Sequence, residues 1–143
     1  MYTFSAEGPC SGHRDSAMNI VQVGEVRVGG GSLCLIAGPC VMESTEIVIQ
    51  SAEHISAVGR RLGIPCIFKS SFDKANRSAG STYRGPGMKA GLQMLQEVRK
   101  RFGIPVLTDI HSEDQADEAA KVVDVLQIPA FLCRQTDLIL AAA

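Results

Sequence analysis

The sequence predicts an α/β fold in which the strands of a parallel sheet alternate with helices. From residue 33 onward, short and nearly continuous apolar runs alternate with segments whose apolar residues recur at helical spacing. Continuous apolar runs are typical of strands that are buried on both faces, as in parallel sheets covered by helices. The chain has 143 residues, 45% of them apolar, which is enough for the core of one domain.

Two segments precede this alternating pattern. Residues 1–18 are polar and lack periodicity, so we expect a disordered leader or a non-native extension there. Residues 20–28 alternate apolar and polar side chains around Gly24, which predicts a short β-hairpin serving as a lid or a brace. Residues 29–31 are all glycine, and we expect them to form a flexible joint.

Four strand–helix units follow the glycines. The predicted strands are residues 33–37, 66–68, 104–108 and 122–128. Ser44 is a suitable N-cap for the first helix, because its hydroxyl accepts a bond from a free backbone N–H, and Gly63 ends that helix. After a long loop, residues 72–86, the second helix carries an apolar face from Met88 to Phe102.

The last two predicted helices are shorter. Ser112 and Gln115 have the spacing of a capping box, which predicts an Ala-rich helix extending to about Lys121. A further helix opens at Gln135 or Thr136. These elements fit two architectures, an open doubly wound sheet or a (β/α)8 barrel. A complete barrel needs roughly 250 residues, and the apolar residues 138–143 carry no cap, so for a barrel we expect a truncated chain.

Composition excludes several classes of protein. No apolar run approaches the ~18 residues of a membrane-spanning helix, and the first residues lack the pattern of a secretory signal. The five cysteines are an odd number and contain no C-x-x-C pair, so we expect a reduced, cytoplasmic protein without membrane attachment.

The net charge of −1 hides an uneven distribution. Residues 60–101 contain ten of the fourteen basic residues and only two acidic residues, Asp73 and Glu97. Nucleic-acid binding is disfavoured, because the few aromatic residues in this block fall mostly in or beside predicted strands and helices. Arg60 and Arg61 lie at a helix C-terminus, where cations stabilise the helix dipole. Lys69 and Lys74 follow a strand instead.

Ligands of parallel α/β proteins bind beyond the carboxyl ends of the strands, where this sequence concentrates polar groups. The four segments that follow the predicted strands are residues 38–44, 69–78, 109–111 and 127–134. The second of them holds several cations, which suit a phosphate or carboxylate. Lys69 comes directly after two apolar residues and needs an anionic partner, because an unpaired ammonium is costly to bury.

These same segments resemble a known enzyme family. The motifs, in order along the chain, occupy residues 37–44, 68–78, 83–87, 108–111 and 124–138. Together they closely resemble the 3-deoxy-D-manno-octulosonate 8-phosphate synthases, from about residue 20 to the last residue. The resemblance implies a (β/α)8 TIM barrel, of which residues 19–143 form the N-terminal half. It also implies condensation of phosphoenolpyruvate with D-arabinose 5-phosphate, a step toward lipopolysaccharide, by a homo-oligomer that is a tetramer in the family.

The resemblance assigns the substrate-binding residues. Lys69 and Lys74 would hold the carboxylate and phosphate of phosphoenolpyruvate, with Ser71 nearby. Arabinose 5-phosphate would be bound by three consecutive residues, Asn76, Arg77 and Ser78. The last two of these would reach its phosphate across a subunit interface.

The resemblance also assigns catalytic residues and a metal ligand. Asp109, His111 and Gln127 would line the floor of the pocket, and Lys74, Asp109 and His111 form the expected catalytic set. Cys40 would be one ligand of a divalent zinc, iron or manganese ion, whose other ligands belong to the second half of the barrel. Without the family motif, the composition favours an inert thiol for Cys40, and a structural role for His111 stays as plausible as a catalytic one.

Two alternatives stay open. The related 3-deoxy-arabino-heptulosonate 7-phosphate synthases share the Gly-Pro-Cys start but have a Lys-Pro-Arg-Thr type of segment where this chain has residues 74–78, Lys-Ala-Asn-Arg-Ser. The other alternative is a non-catalytic α/β fragment or small binding module. By itself, the 143-residue chain is expected to be inactive.

Overall fold

The computed structural model of the chain describes residues 19–75 and 83–143. The strands in these ranges are β1 Val21–Val23, β2 Val26–Val28, β3 Leu35–Ala37, β4 Cys66–Lys69, β5 Val106–Asp109 and β6 Val125–Gln127. The helices are α1 Thr45–Leu62, α2 Met88–Phe102, α3 Asp114–Ala120 and α4 Thr136–Ala142, with a 3-10 turn at Ala130–Leu132. The leader predicted at residues 1–18 lies outside the described residues.

The four strands β3 to β6 form one parallel sheet in which each strand pairs with the next one along the chain. All four helices contribute buried residues to a single apolar cluster on one face of this sheet. A doubly wound sheet reverses its strand order and carries helices on both faces. Here the strands follow one another in chain order and the helices cover one face of the sheet, as in part of a (β/α)8 barrel. The predicted fold class is therefore confirmed.

The helix-facing core explains why the units hold together. Phe68 and Val106 lie in neighbouring strands and are completely buried, as are Leu95 and Val98 on α2. The α1 ends follow the sequence signals: the Ser44 hydroxyl accepts a bond from the Ile47 N–H at 3.2 Å. Gly63 and, after α2, Gly103 adopt left-handed φ values of 65° and 64°, which favour glycine.

Two local predictions need correction. The helix predicted to open at Ser112 begins at Asp114, and the Gln115 side chain accepts a bond from the His111 N–H at 2.8 Å, so Ser112 and Gln115 do not form a capping box. The fourth strand is shorter than residues 122–128 and begins at Val125. Just before this strand, the Asp124 carboxylate accepts a bond from the Val106 N–H at 2.9 Å. A side-chain oxygen, and not a backbone carbonyl, is therefore the acceptor at this position.

The hairpin is a brace and not a lid. β1 and β2 pair in antiparallel fashion, and Val23 and Val26 pack against Ile67 and Leu107 on the face of the sheet opposite the helices. These contacts lie before the carboxyl ends of the strands. The hairpin therefore stabilises the sheet without covering the edge where ligands of such folds bind.

The prediction that every strand is buried on both faces is wrong for β3. Ile36 is 53% exposed, although its partner in register, Ile67, is buried. β3 forms one edge of the sheet, and the hairpin covers Ile67 and Leu107 but leaves Ile36 open. Within the two described ranges, no helix combines the length and the apolar character needed to cross a bilayer.

Candidate active site

The last residues of three neighbouring strands bring polar side chains to one edge of the sheet. Lys69 ends β4, Asp109 ends β5 and Gln127 ends β6. Because side chains alternate along a strand, Lys69 lies on the same face as Ile67, two residues before it, and Asp109 on the same face as Leu107. The apolar layer under the hairpin is thus followed by a polar layer at the carboxyl edge.

Two lysine side chains converge on one buried hydroxyl. The Lys69 ammonium donates to Ser71 Oγ at 2.9 Å, and the Lys74 ammonium donates to the same oxygen at 3.2 Å. Ser71 is completely buried, and its backbone carbonyl accepts a bond from the Met42 N–H at 3.0 Å. A hydroxyl oxygen carries no charge, so it orients the two cations but leaves their charges uncompensated.

Asp109 is the one carboxylate that pairs with these lysines in the described part of the chain. Its Oδ1 lies 3.6 Å from Lys69 Nζ, and its Oδ2 lies 3.2 Å from His111 Nε2. In residues 19–75 and 83–143, no carboxylate lies within 4.0 Å of Lys74 Nζ. Two ammonium groups beside one carboxylate leave a local excess of positive charge, which favours an anionic ligand.

His111 is held in a fixed orientation beside Asp109. Its backbone N–H donates to Gln115, and its ring makes an edge contact with Phe72 at a centroid distance of 6.0 Å. Within the described residues, its buried Nδ1 atom has no hydrogen-bond partner. An imidazole that has a carboxylate on one nitrogen and no partner on the other can hold or pass a proton.

The strand ends are tied together beneath these side chains. Ser70 is buried and donates its hydroxyl proton to the Pro39 carbonyl at 2.8 Å, while Thr108 donates to the Ser70 carbonyl at 2.8 Å. At Gly38 a Cβ atom would overlap the carbonyl oxygen of Lys69, so only glycine allows this close approach of the chain after β3. These contacts fix the backbone from which Lys69 and Ser71 extend.

A cavity of about 210 Å³ opens at this edge; we call it the recess. It is lined by Lys69, Asp73, Lys74, Ala75, Asp109, His111, Gln127, Pro129, Ala130 and Phe131. The structure therefore brings together the predicted residues Lys69, Lys74, Asp109, His111 and Gln127. The sequence assigned no role to Asp73 or Phe131. Phe131 is a large apolar residue that is 54% exposed beside polar groups, but that exposure cannot be read from its sequence neighbours.

The remaining predicted site residues fall into two groups. Asn76, Arg77 and Ser78 lie outside the described residues, so their assignment stays a prediction. Cys40 is exposed after β3. Within the described residues no group of three His, Cys, Asp or Glu side chains could hold a metal, and Cys40 alone is not a site for a divalent ion.

Comparison with known proteins places these observations in a family. The model of the DAHP synthetase I family matches residues 8–143, nearly the whole chain. The chain belongs to this family. The family match and the parallel sheet support the same barrel architecture.

Relatives within the family share more than half of the aligned residues. A protein of Trichlorobacter lovleyi named 2-dehydro-3-deoxyphosphooctonate aldolase is 57% identical over 124 residues, covering 86% of this chain and 46% of the relative. A protein of the same name from Fusobacterium nucleatum is 55% identical, and the match covers 88% of this chain and 46% of the relative. Another from Variovorax paradoxus is 61% identical, and the match covers 76% of this chain and 38% of the relative. The resemblance to the octulosonate 8-phosphate synthases, which also carry that aldolase name, is confirmed. The chain spans about half the length of these relatives or less.

Proposed function

We propose that the chain forms the phosphoenolpyruvate-binding part of an enzyme that condenses phosphoenolpyruvate with D-arabinose 5-phosphate. The products are 3-deoxy-D-manno-octulosonate 8-phosphate and phosphate. One observation supports this proposal above the others: Lys69 and Lys74 converge on Ser71, and among the described residues Asp109 is the only carboxylate that pairs with either lysine. Phosphoenolpyruvate carries a carboxylate and a phosphate close together, which two adjacent ammonium groups suit.

The proposed reaction joins two anions that repel each other. C3 of phosphoenolpyruvate forms a bond to the aldehyde carbon of the open-chain sugar phosphate, whose oxygen takes up a proton. Water then adds to C2, and the C2–O bond to phosphate breaks. The chief contribution of Lys69 and Lys74 is to hold phosphoenolpyruvate against this repulsion and in a reactive orientation.

Asp109 and His111 are the proposed proton-handling pair. Asp109 Oδ2 faces His111 Nε2 at 3.2 Å, so a proton on that nitrogen is stabilised by the carboxylate. Both residues line the recess together with Lys74 and Gln127. In this proposal the pair donates a proton to the aldehyde oxygen, and Gln127 orients the substrate through its amide.

Further parts of the proposal depend on residues 76–78, which lie outside the described ranges, or on metal ligands that the described residues do not supply. Asn76, Arg77 and Ser78 would bind arabinose 5-phosphate, and Arg77 and Ser78 would reach it across a subunit interface. The enzyme would be a homo-oligomer, as the tetramers of the family are, and would act in the cytoplasm. Cys40 would contribute one ligand to a divalent zinc, iron or manganese ion. Since the described residues do not complete a metal site, no step of the reaction is assigned to that ion.

The test uses a chimera in which this chain replaces the matching segment of the Trichlorobacter lovleyi relative. Release of phosphate from phosphoenolpyruvate is measured with and without arabinose 5-phosphate. Phosphate release that requires arabinose 5-phosphate supports the proposal. A chimera that folds but releases none contradicts it.

The family description favours one second candidate, a 3-deoxy-arabino-heptulosonate 7-phosphate synthase. Its product has seven carbons, so its sugar substrate is a four-carbon aldose phosphate. Offering the chimera a tetrose 4-phosphate in place of the pentose phosphate distinguishes the two. Residues 74–78 favour the five-carbon substrate.

A further inference from the structure

A bidentate ion pair lies next to the lysine that most lacks an anionic partner. The Arg84 guanidinium donates from Nε to Asp73 Oδ1 at 2.8 Å and from Nη2 to Asp73 Oδ2 at 2.6 Å. Both carboxylate oxygens of Asp73 are therefore engaged. These hydrogen bonds raise the pKa of Arg84 above its ordinary value, so the guanidinium keeps its positive charge at every physiological pH.

The pair is part of the same loop as Lys74. Asp73 precedes Lys74 in the chain and lines the recess with it. The Lys74 N–H donates to the Arg84 carbonyl at 2.7 Å, and the Gly87 N–H donates to the Phe72 carbonyl at 3.1 Å. The segment after residue 82 thus returns to residues 72–74 and places the guanidinium on the Asp73 carboxylate.

The electrostatic effect of the pair follows from what each charge contacts. Asp73 and Lys74 are neighbours in the chain, yet the Lys74 ammonium donates to the neutral Ser71 hydroxyl and not to Asp73. Asp73 lines the recess together with Lys74, so without Arg84 its carboxylate would be free to pair with the Lys74 ammonium. Such pairing would cancel the charge that a ligand phosphate needs.

We propose that Arg84 is a positioning residue that binds the Asp73 carboxylate and thereby keeps the Lys74 ammonium available for the phosphate of phosphoenolpyruvate. This inference rests on the proposed function. It assigns Arg84 no contact with the substrate. It also predicts that removing Asp73 restores phosphoenolpyruvate binding when Arg84 is absent. A purely structural ion pair does not predict this restoration.

The experiment measures binding of phosphoenolpyruvate to the chimera with the Trichlorobacter lovleyi relative by isothermal titration calorimetry. Four chimeras are compared: the unmodified chimera, Arg84→Gln, Asp73→Asn and the double variant. Lys121→Gln is the matched control, because it removes one positive charge from an exposed pair with Glu118 that does not line the recess. Circular dichroism checks that every variant is folded.

Arg84→Gln is expected to weaken binding about tenfold, because Asp73 then pairs with Lys74. Asp73→Asn and the double variant are expected to bind within about threefold of the unmodified chimera, as is Lys121→Gln. If the double variant stays as weak as Arg84→Gln, then Arg84 contacts the ligand or supports the loop, and the inference is overturned. Unchanged affinity in Arg84→Gln also overturns the inference. So does a failure of Arg84→Gln to fold, if adding Asp73→Asn does not restore folding.

The outcomes separate this inference from the function on which it rests. If no chimera binds phosphoenolpyruvate, the proposed function fails and the role of Arg84 fails with it. If the unmodified chimera binds and only the pattern among the variants differs from expectation, the proposed function stands and this inference alone is wrong.

Discussion

The two faces of the parallel sheet use the same strands for different purposes. Phe68 and Lys69 are consecutive in β4 and point to opposite faces. Phe68 is completely buried in the core beneath the helices, whereas Lys69 reaches the recess and pairs with Asp109. Val106 and Leu107 in β5 divide in the same way between the helices and the hairpin. Alternation along each strand therefore places the main core on the helix face, and both the hairpin contacts and the recess side chains on the other face.

The comparison shows which substitutions should affect only one property. On the helix face Phe68 and Val106 are buried in the apolar core, so lost volume lowers the free energy of unfolding. The carboxyl edge of the sheet is held by hydrogen bonds from the Ser70 and Thr108 hydroxyls to backbone carbonyls, and these bonds do not involve the lysines. Changes in the recess should then alter binding while the fold persists.

The largest expected effect is on the helix face. Phe68→Ala removes a completely buried ring and should lower the free energy of unfolding by about 3–5 kcal/mol. The matched variant Lys69→Met in the same strand removes the ammonium that pairs with the buried Asp109 carboxylate, so it should lower the free energy of unfolding by a smaller amount, about 1–3 kcal/mol, and weaken phosphoenolpyruvate binding. Urea denaturation followed by circular dichroism measures both. Equal losses of stability in the two variants would contradict the division between faces.

The next effect concerns turnover. In the chimera with the Trichlorobacter lovleyi relative, Lys74→Ala should reduce turnover by about 10²–10³-fold, because the proposed function assigns this cation to the reacting phosphate. Lys121→Ala provides the charge control. A steady-state phosphate-release assay gives the result, and wild-type turnover in Lys74→Ala would show that Lys74 is not part of the site.

Metal removal is expected to matter at the carboxyl edge alone. Because the resemblance places Cys40 among the ligands of a divalent ion, a chelator should lower the activity of the chimera, and added divalent metal should restore it. We expect at least about a tenfold loss, with no change in the unfolding curve of the 143-residue chain. Activity that a chelator leaves unchanged would place the protein among metal-independent relatives despite Cys40.

The brace formed by the hairpin offers a smaller test. Val23→Ala removes apolar contact with Ile67 and Leu107, and should lower the free energy of unfolding by about 1–2 kcal/mol. Phosphoenolpyruvate affinity should stay the same, because the hairpin does not reach the recess. Calorimetry on the folded variant checks this, and an affinity loss would mean that the brace also shapes the site.

The smallest effect on stability is expected at Ile36, which lies in the edge strand β3 on the face of the sheet opposite the helices. Ile36 is exposed there, so the 143-residue chain should self-associate through this face, and Ile36→Lys should shift it toward the monomer. Its free energy of unfolding should change by less than about 0.5 kcal/mol. Size-exclusion chromatography measures the shift. An identical elution profile for both chains would show that this face does not mediate association.

The sequence predicted the features that depend on neighbours in the chain. The Ser44 cap and the Gly63 ending of α1 need only local geometry, and both are confirmed. The apolar runs predicted β3 to β6 because burial in a sheet requires them. The ends of β6 were predicted wrongly, since the bond from the Val106 N–H to Asp124 joins residues eighteen positions apart.

The site was predicted in part for the same physical reason. Family motifs and strand ends identified Lys69, Lys74, Asp109, His111 and Gln127, which the fold brings to one edge. The sequence could not show that Ser71 is buried between the two lysines, because that depends on how the loops after β3 and β4 meet. Nor could it pair Asp73 with Arg84, since the loop must return for the two to meet.

The sequential order of the parallel strands has a consequence for biosynthesis. Each strand pairs with the strand translated before it, so every new strand that leaves the ribosome meets an edge that is already formed. The connections to be closed are single strand–helix units, and short closures cost less conformational entropy than long ones. The sheet can therefore grow in one direction, from β3 to β6, and at each stage of synthesis its newest edge is the one that next receives a partner.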